Sequence, residues 1–203
     1  MVIEGIEGSG KSSLCAALAQ RLAADGCDVL TTREPGGVPL GDAVRSIFLD
    51  RSIAIDPLAE AFLVSAARAQ HVADVILPAL SSGRFVVCDR YVDSTLAYQG
   101  YGRGLSLPFL RELCATATGG LEAAVTLVLD IPVTVSRART QSRARDADRL
   151  ELEDDAFHER VRRGYLELAA EPSHRAIDAT LGMEQVLERA LAALQQWRVR
   201  RTP

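Results

Sequence analysis

Lysine is almost missing from this 203-residue chain. Lysine and arginine together number 23, and Lys11 is the only lysine among them. Cysteine and histidine are also scarce, at four and three residues, and no two cysteines form a C-x-x-C pair. Zinc centres and disulfide frameworks are thereby excluded as organising features, and the thiols read as reduced, cytosolic and packed into the interior. Apolar residues never run to membrane-spanning length, and the first apolar stretch is four residues that lead straight into a glycine loop, unlike a secretory leader. Excess positive charge is absent too: the net charge is −4 and the pI about 5.5. No general attraction to nucleic acid or to an anionic membrane follows, so a bound anion must be held by local arginines and backbone amides.

What is present is an alternation of short apolar runs with helical patterns. Strands are expected at residues 1–4, 28–32, 85–89, 124–130 and 175–178. Helices are expected at 12–25, 40–50, 57–80, from Pro132 as a first helical residue, at 150–170, and over the final amphipathic stretch beginning near Met183. Continuous apolar strands between helices are the signature of a parallel sheet covered on both faces. The expectation is one α/β domain over 1–203, a three-layer P-loop NTPase fold with a five-stranded parallel sheet and a short lid at about 137–149. No internal repeat or low-complexity segment interrupts it.

The lone lysine stands in Gly5-Ile6-Glu7-Gly8-Ser9-Gly10-Lys11-Ser12, which meets G-x-x-x-x-G-K-[ST] at every fixed position. In such a loop, backbone N–H groups and a helix N-terminus cradle phosphates, the lysine reaches the β- and γ-phosphates, and the Ser12 hydroxyl meets Mg²⁺. A compact ammonium suits that space where a planar guanidinium would not. Gly5, Glu7, Gly8, Ser9, Gly10, Lys11, Ser12 and Ser13 are therefore the expected ATP cradle. A guanine-reading Asn-Lys-x-Asp is excluded, because no second lysine exists.

Arginine supplies the remaining positive charge. Arg33 and Arg90 follow expected strands, at the edge where α/β sheets collect ligands. Arg137, Arg139, Arg143, Arg145 and Arg149 crowd one stretch. At least two of these five are expected to be solvent-facing and paired with nearby acids. The others suit a lid that closes on a transferred phosphate and excludes water.

Taken in order, Thr32-Arg33-Glu34-Pro35-Gly36-Gly37, Asp89-Arg90-Tyr91, Ser94-Thr95-Leu96-Ala97-Tyr98-Gln99-Gly100 and Asp148-Arg149-Leu150-Glu151 resemble bacterial thymidylate kinase over nearly the whole chain, as does Tyr165-Leu166-Glu167-Leu168-Ala169. The resemblance implies transfer of phosphate from ATP to dTMP with Mg²⁺, in a cytoplasmic homodimer without nucleic-acid or membrane partners. By motif position, Arg33, Pro35, Arg45, Arg90 and Ser94 would surround the acceptor nucleotide, Glu7 would assist its phosphate and the metal with Asp89, and Tyr98 would lie near the deoxyribose. Arg68, Thr95 and Gln99 would read the base, and Arg137 would stack on adenine. Read without the family, a buried Arg68 needs a partner such as Glu34, Glu60 or Asp74.

Two departures stand out. One family type carries a catalytic arginine inside the phosphate loop; Ser9 stands there, so the charge must come from the lid, with Arg143, Arg145 and Arg149 as candidates. The family also places a phenylalanine four residues before the base-reading arginine, and here that residue is Val64. Phe62 is two positions away, a rotation of about 200° on a helix, and does not substitute. Loss of that stacking, about 0.5–1.5 kcal/mol for aromatic pairs, leaves dUMP or a 5-substituted dUMP as an alternative acceptor. A non-catalytic nucleotide-binding regulator is the reading from another class.

Overall fold

A computed structural model describes residues 1–142 and 148–201, the last two by backbone alone. Five strands form one sheet: β1 (Val2–Glu4), β2 (Val29–Arg33), β3 (Phe85–Asp89), β4 (Thr126–Asp130) and β5 (His174–Asp178). All pairings are parallel and the spatial order is β2-β3-β1-β4-β5. The chain starts at the centre, builds β2 and β3 on one side, then crosses to β4 and β5. That reversal opens a crevice at the carboxyl ends of β1 and β3, where open α/β sheets bind ligands.

Period-two alternation divides the strand residues between the two faces. Ile3 and Val87 point toward α1 (Lys11–Ala24), α8 (Asp155–Leu168) and α9 (Met183–Arg201), in a core built with Leu14, Leu18, Leu127 and Val161. Val2, Val86 and Cys88 face the other way, against Val72, Ile76 and Tyr91. The remaining α-helices are α2 (Pro39–Leu49), α3 (Pro57–His71), α4 (Leu77–Ser81), α5 (Val92–Thr95), α6 (Leu107–Thr118) and α7 (Val133–Gln141), and a π-helical segment at Leu96–Gly102 continues α5. The helical stretch expected from Pro57 is continuous but not regular, because a π-helical turn at Val72–Ile76 joins α3 to α4. Pro78 has no N–H and its ring would crowd the carbonyl four residues back, so the ladder widens there. The Leu77 N–H bonds Val72 O instead. Pro132 also departs from expectation: it is the N-cap, and the helix starts at Val133.

The four cysteines are free thiols, and Cys15, Cys88 and Cys114 are buried. Burial, with a contribution from Asp89, pushes the Cys15 thiol up to about 12, so it packs rather than reacts.

Candidate active site

The phosphate loop joins β1 to α1. Gly5 has φ +138, and a Cβ there would lie 2.5 Å from the Leu129 carbonyl oxygen, so the turn out of β1 requires glycine. Lys11 folds back over the loop and donates to Gly5 O (3.0 Å) and Ile6 O (2.9 Å). Burial, together with the Arg90 charge, brings its ammonium down to about 8. Ser9 is buried and its hydroxyl has no partner among the described residues, as suits a group that serves a bound anion. Ser12 Oγ donates to Asp89 Oδ2 at 2.6 Å, because β1 and β3 are neighbours and Ile3 is in register with Asp89. No group of three or more histidines, cysteines or carboxylates capable of holding a metal occurs among the described residues. A hydroxyl with one carboxylate is nevertheless a fitting seat for Mg²⁺, which takes few protein ligands and completes its shell with phosphate oxygens and water.

Arg90 stands at the centre of the site. It has φ +72, uncommon for a residue with a Cβ, and its N–H is fixed by Ile3 O at 2.9 Å. Its Nη2 donates to Glu7 Oε1 (2.8 Å), and its Nη1 donates to Ser94 Oγ (3.1 Å) and to the Tyr165 hydroxyl (3.0 Å). Below these hydroxyls lies Glu4, fully buried, which accepts from Ser94 Oγ (2.6 Å), Tyr165 (3.1 Å) and the Tyr91 N–H (2.7 Å). Burial and the nearby Asp93 push the Glu4 carboxyl up to about 7, against these donors. Glu7 behaves oppositely. Burial would raise it, but Arg90, Lys11 and the Tyr98 hydroxyl outweigh burial and set it at about 2. Tyr98 donates to Glu7 at 2.6 Å while the Arg90 guanidinium lies 5.1 Å from its ring centre.

Arg33 and Arg45 complete a ring of positive charge. Arg33 is 56% exposed, 3.9 Å from Asp42. Burial, then the like charges of Arg33 and Arg90, depress Arg45. Three guanidiniums that repel one another across a cleft of about 250 Å³ suit an anionic ligand. Pro35, Ser94, Thr95, Tyr98 and Gln99 also line this cleft, so most of the expected acceptor residues converge.

Several of the expected site residues are engaged in contacts within the chain. Arg68 is 2% exposed and is not a cleft-lining group; it donates to Glu34 Oε2 (2.7 Å), Tyr91 O (2.8 Å) and Thr95 Oγ1 (3.1 Å). The internal pair with Glu34 is realised, and Arg68 supports Thr95 from beneath. Arg137 does not reach the donor site either: its guanidinium is held by Asp155 and by the carbonyls of Glu151 and Glu153. The α7 arginine that does reach the loop is Arg139, which donates to Gly8 O (3.2 Å) and Ala179 O (3.0 Å). Helical phase explains this. Ser136 donates to Glu7 O at 2.6 Å, and Arg139 lies three residues on along the same face. Arg149 is bound to Glu60 Oε1 (2.6 Å) and Phe48 O (3.3 Å) rather than turned into the cleft. Arg143 and Arg145 lie outside the described residues. Beside Val64 the apolar wall is completed by Phe48 of α2 and Leu150, while Phe62 is 50% exposed and packs edge-on against Phe109.

A family model for thymidylate kinase matches residues 3–190. The chain belongs to the thymidylate kinase family. It is 51% identical to the thymidylate kinase of Cereibacter sphaeroides over 201 residues, covering 96% of this chain and 93% of that one. To the Deinococcus radiodurans thymidylate kinase it is 48% identical, covering 97% and 96%. Among solved structures, the crystal structure of thymidylate kinase from Ehrlichia chaffeensis aligns with a TM-score of 0.76 at 30% identity, over 95% of this chain and 96% of that chain.

Proposed function

We propose that this enzyme transfers the γ-phosphoryl group of ATP to dTMP, giving ADP and dTDP. The observation that carries this reading is the shared cleft, in which Arg33, Arg45 and Arg90 line the same cavity as Lys11, Ser12 and Glu7 of the phosphate loop. A nucleoside acceptor has no phosphate and would not need those charges. A non-catalytic nucleotide binder would need neither Arg90 nor the further guanidiniums beside the phosphate loop.

In the reaction, a dTMP phosphate oxygen attacks the γ-phosphorus and the bond to the ADP oxygen breaks. The attacking oxygen is already ionised, so the chain need not supply a strong base; its work is positioning and charge stabilisation. Lys11 leaves its loop carbonyls for the phosphates of ATP. Arg90, locked by Glu7, Ser94 and Tyr165, holds the acceptor phosphate in one orientation. Ser12 and Asp89, with Glu7 nearby, would hold Mg²⁺, which when bound would supply Lewis-acid neutralisation of phosphate charge. With Ser9 uncharged in the loop and Arg149 committed to Glu60, Arg143 and Arg145 are the lid cations assigned to the transferred group.

The enzyme acts in the cytoplasm as a homodimer. The apolar side chains that α3 and α6 leave exposed, Leu58, Phe62 and Phe109, support a helix-mediated subunit contact. Coupled measurement of ADP formation from ATP, with and without dTMP, tests the activity; no dTMP-dependent ADP formation overturns it. Sedimentation of the purified chain tests the dimer.

A further inference from the structure

Glu60 is a charged side chain with 0% exposure in the first turn of α3, far from the phosphate chemistry. A carboxylate there is stabilised by the helix N-terminus but needs partners to offset its desolvation. Three residues supply them. Arg149 Nη1 donates at 2.6 Å and Arg103 Nη2 at 3.1 Å, both to Oε1. Gln99 Nε2 donates to Oε2 at 2.9 Å. The two guanidiniums neutralise the charge, so the Gln99 contact is not needed for neutralisation.

The Gln99 contact does settle which way the amide points. A carboxylate only accepts hydrogen bonds, so Gln99 must turn its NH₂ toward Glu60; the flipped amide would set two acceptor oxygens against each other. Gln99 lines the acceptor cleft, and the atom left to face it is the carbonyl oxygen, which bonds no group among the described residues. That oxygen can only accept. A 4-oxo pyrimidine carries N3–H and donates there, whereas cytosine presents a lone pair at N3.

We propose that Glu60 is a specificity-positioning residue: by fixing the Gln99 amide it makes the acceptor cleft select 4-oxo pyrimidine nucleotides over 4-amino ones. This rests on the reading of the cleft as a nucleoside monophosphate site and names the group that discriminates within it. Because both acceptors carry the same phosphate and use the same lid, any general effect of Glu60 on folding or lid position cancels in the ratio of their kcat/KM values.

The test measures kcat/KM for dTMP and for dCMP with saturating ATP. Wild type should favour dTMP. Glu60→Gln, which lets the Gln99 amide flip, should lower the dTMP-to-dCMP ratio by on the order of tenfold to a hundredfold, as a single misplaced donor–acceptor pair on a base edge does. The double exchange Glu60→Gln/Gln99→Glu again presents an oxygen to the cleft and should restore most of the ratio. A parallel loss for both acceptors in Glu60→Gln, with the ratio unchanged, overturns the proposal. Should that variant not fold, Gln99→Leu leaves Glu60 with its two arginines and should collapse the same ratio; a retained ratio overturns the proposal. Wild type that turns over dCMP as well as dTMP overturns the inference and leaves the kinase reading standing. Wild type inactive on every pyrimidine nucleotide overturns both.

Discussion

Tyr165→Phe separates the support of Arg90 from the chemistry, because the hydroxyl lies beneath the guanidinium. That hydroxyl accepts from Arg90 Nη1 at 3.0 Å, donates to Glu4 Oε2 at 3.1 Å and lies 2.9 Å from Ser94 Oγ. Its removal leaves the ring packed. Arg90 Nη1 keeps only Ser94, and Glu4 Oε2 keeps only the Ser94 hydroxyl. The cost is that of weakened rather than abolished satisfaction of buried charged groups, about 2 kcal/mol within the usual ~1–3. For a chain of this length that is a fall in melting temperature of about 4–8 °C. The functional effect follows from geometry. Arg90 loses one of the groups fixing its orientation, so KM for dTMP should rise several-fold while KM for ATP stays near wild type. Differential scanning fluorimetry and steady-state assays with each substrate varied in turn are sufficient. A variant that melts within a degree of wild type and shows the wild-type KM for dTMP would refute the assignment of Tyr165 to Arg90.

Lys11→Ala should lower kcat by orders of magnitude with the fold retained by circular dichroism; near-normal turnover removes its catalytic role. Arg90→Ala should raise KM for dTMP far more than KM for ATP, and equal effects on both would contradict its placement on the acceptor side. Arg139→Ala should raise KM for ATP several-fold, because it disconnects the loop carbonyl of Gly8 from Ala179, whereas Arg137→Ala should act on stability rather than on ATP. His174 adds a pH dependence. Its Nε2 is 2.7 Å from Asp93 Oδ2, with Glu171 3.8 Å away on the other nitrogen. Burial would lower its pKa, but the Asp93 hydrogen bond and charge raise it above 6.5. A folded-state value above the unfolded one gives stability that is full below that unfolded value and lost as pH rises through the folded one. His174→Gln should therefore melt below wild type at pH values under 6.5 and converge with it as the pH rises through the folded-state value; a difference that grows with pH would reverse the argument.

The legible parts of the site were those whose geometry is local. Glycines at fixed spacing followed by Lys11 and Ser12 dictate a loop, because few residues tolerate φ values such as +138 at Gly5 and +94 at Gly10. Arg33 and Arg90 were placed by being one step beyond or at the end of an apolar run, since parallel strands end on a common edge. Long side chains were not legible in the same way. Arg137 and Arg139 differ by two residues, and only the packing of Ser136 on Glu7 shows which faces the loop. The wall beside Val64 is closed by Phe48, sixteen positions earlier on another helix, which no spacing rule within α3 reveals.

The sequence by itself determined the phosphate loop, the five strands and the edge at which they end, because backbone conformation and strand burial are set by neighbouring residues. Tertiary structure alone decided which arginines line the cleft and which serve as internal struts. Arg68 went to Glu34, Arg149 to Glu60 and Arg90 to the cleft, although all three are the same residue type in similar apolar or mixed surroundings. The physical reason is that a guanidinium on a flexible stem takes the carboxylate that folding brings within 3 Å, and those carboxylates lie 34, 89 and 83 positions away along the chain.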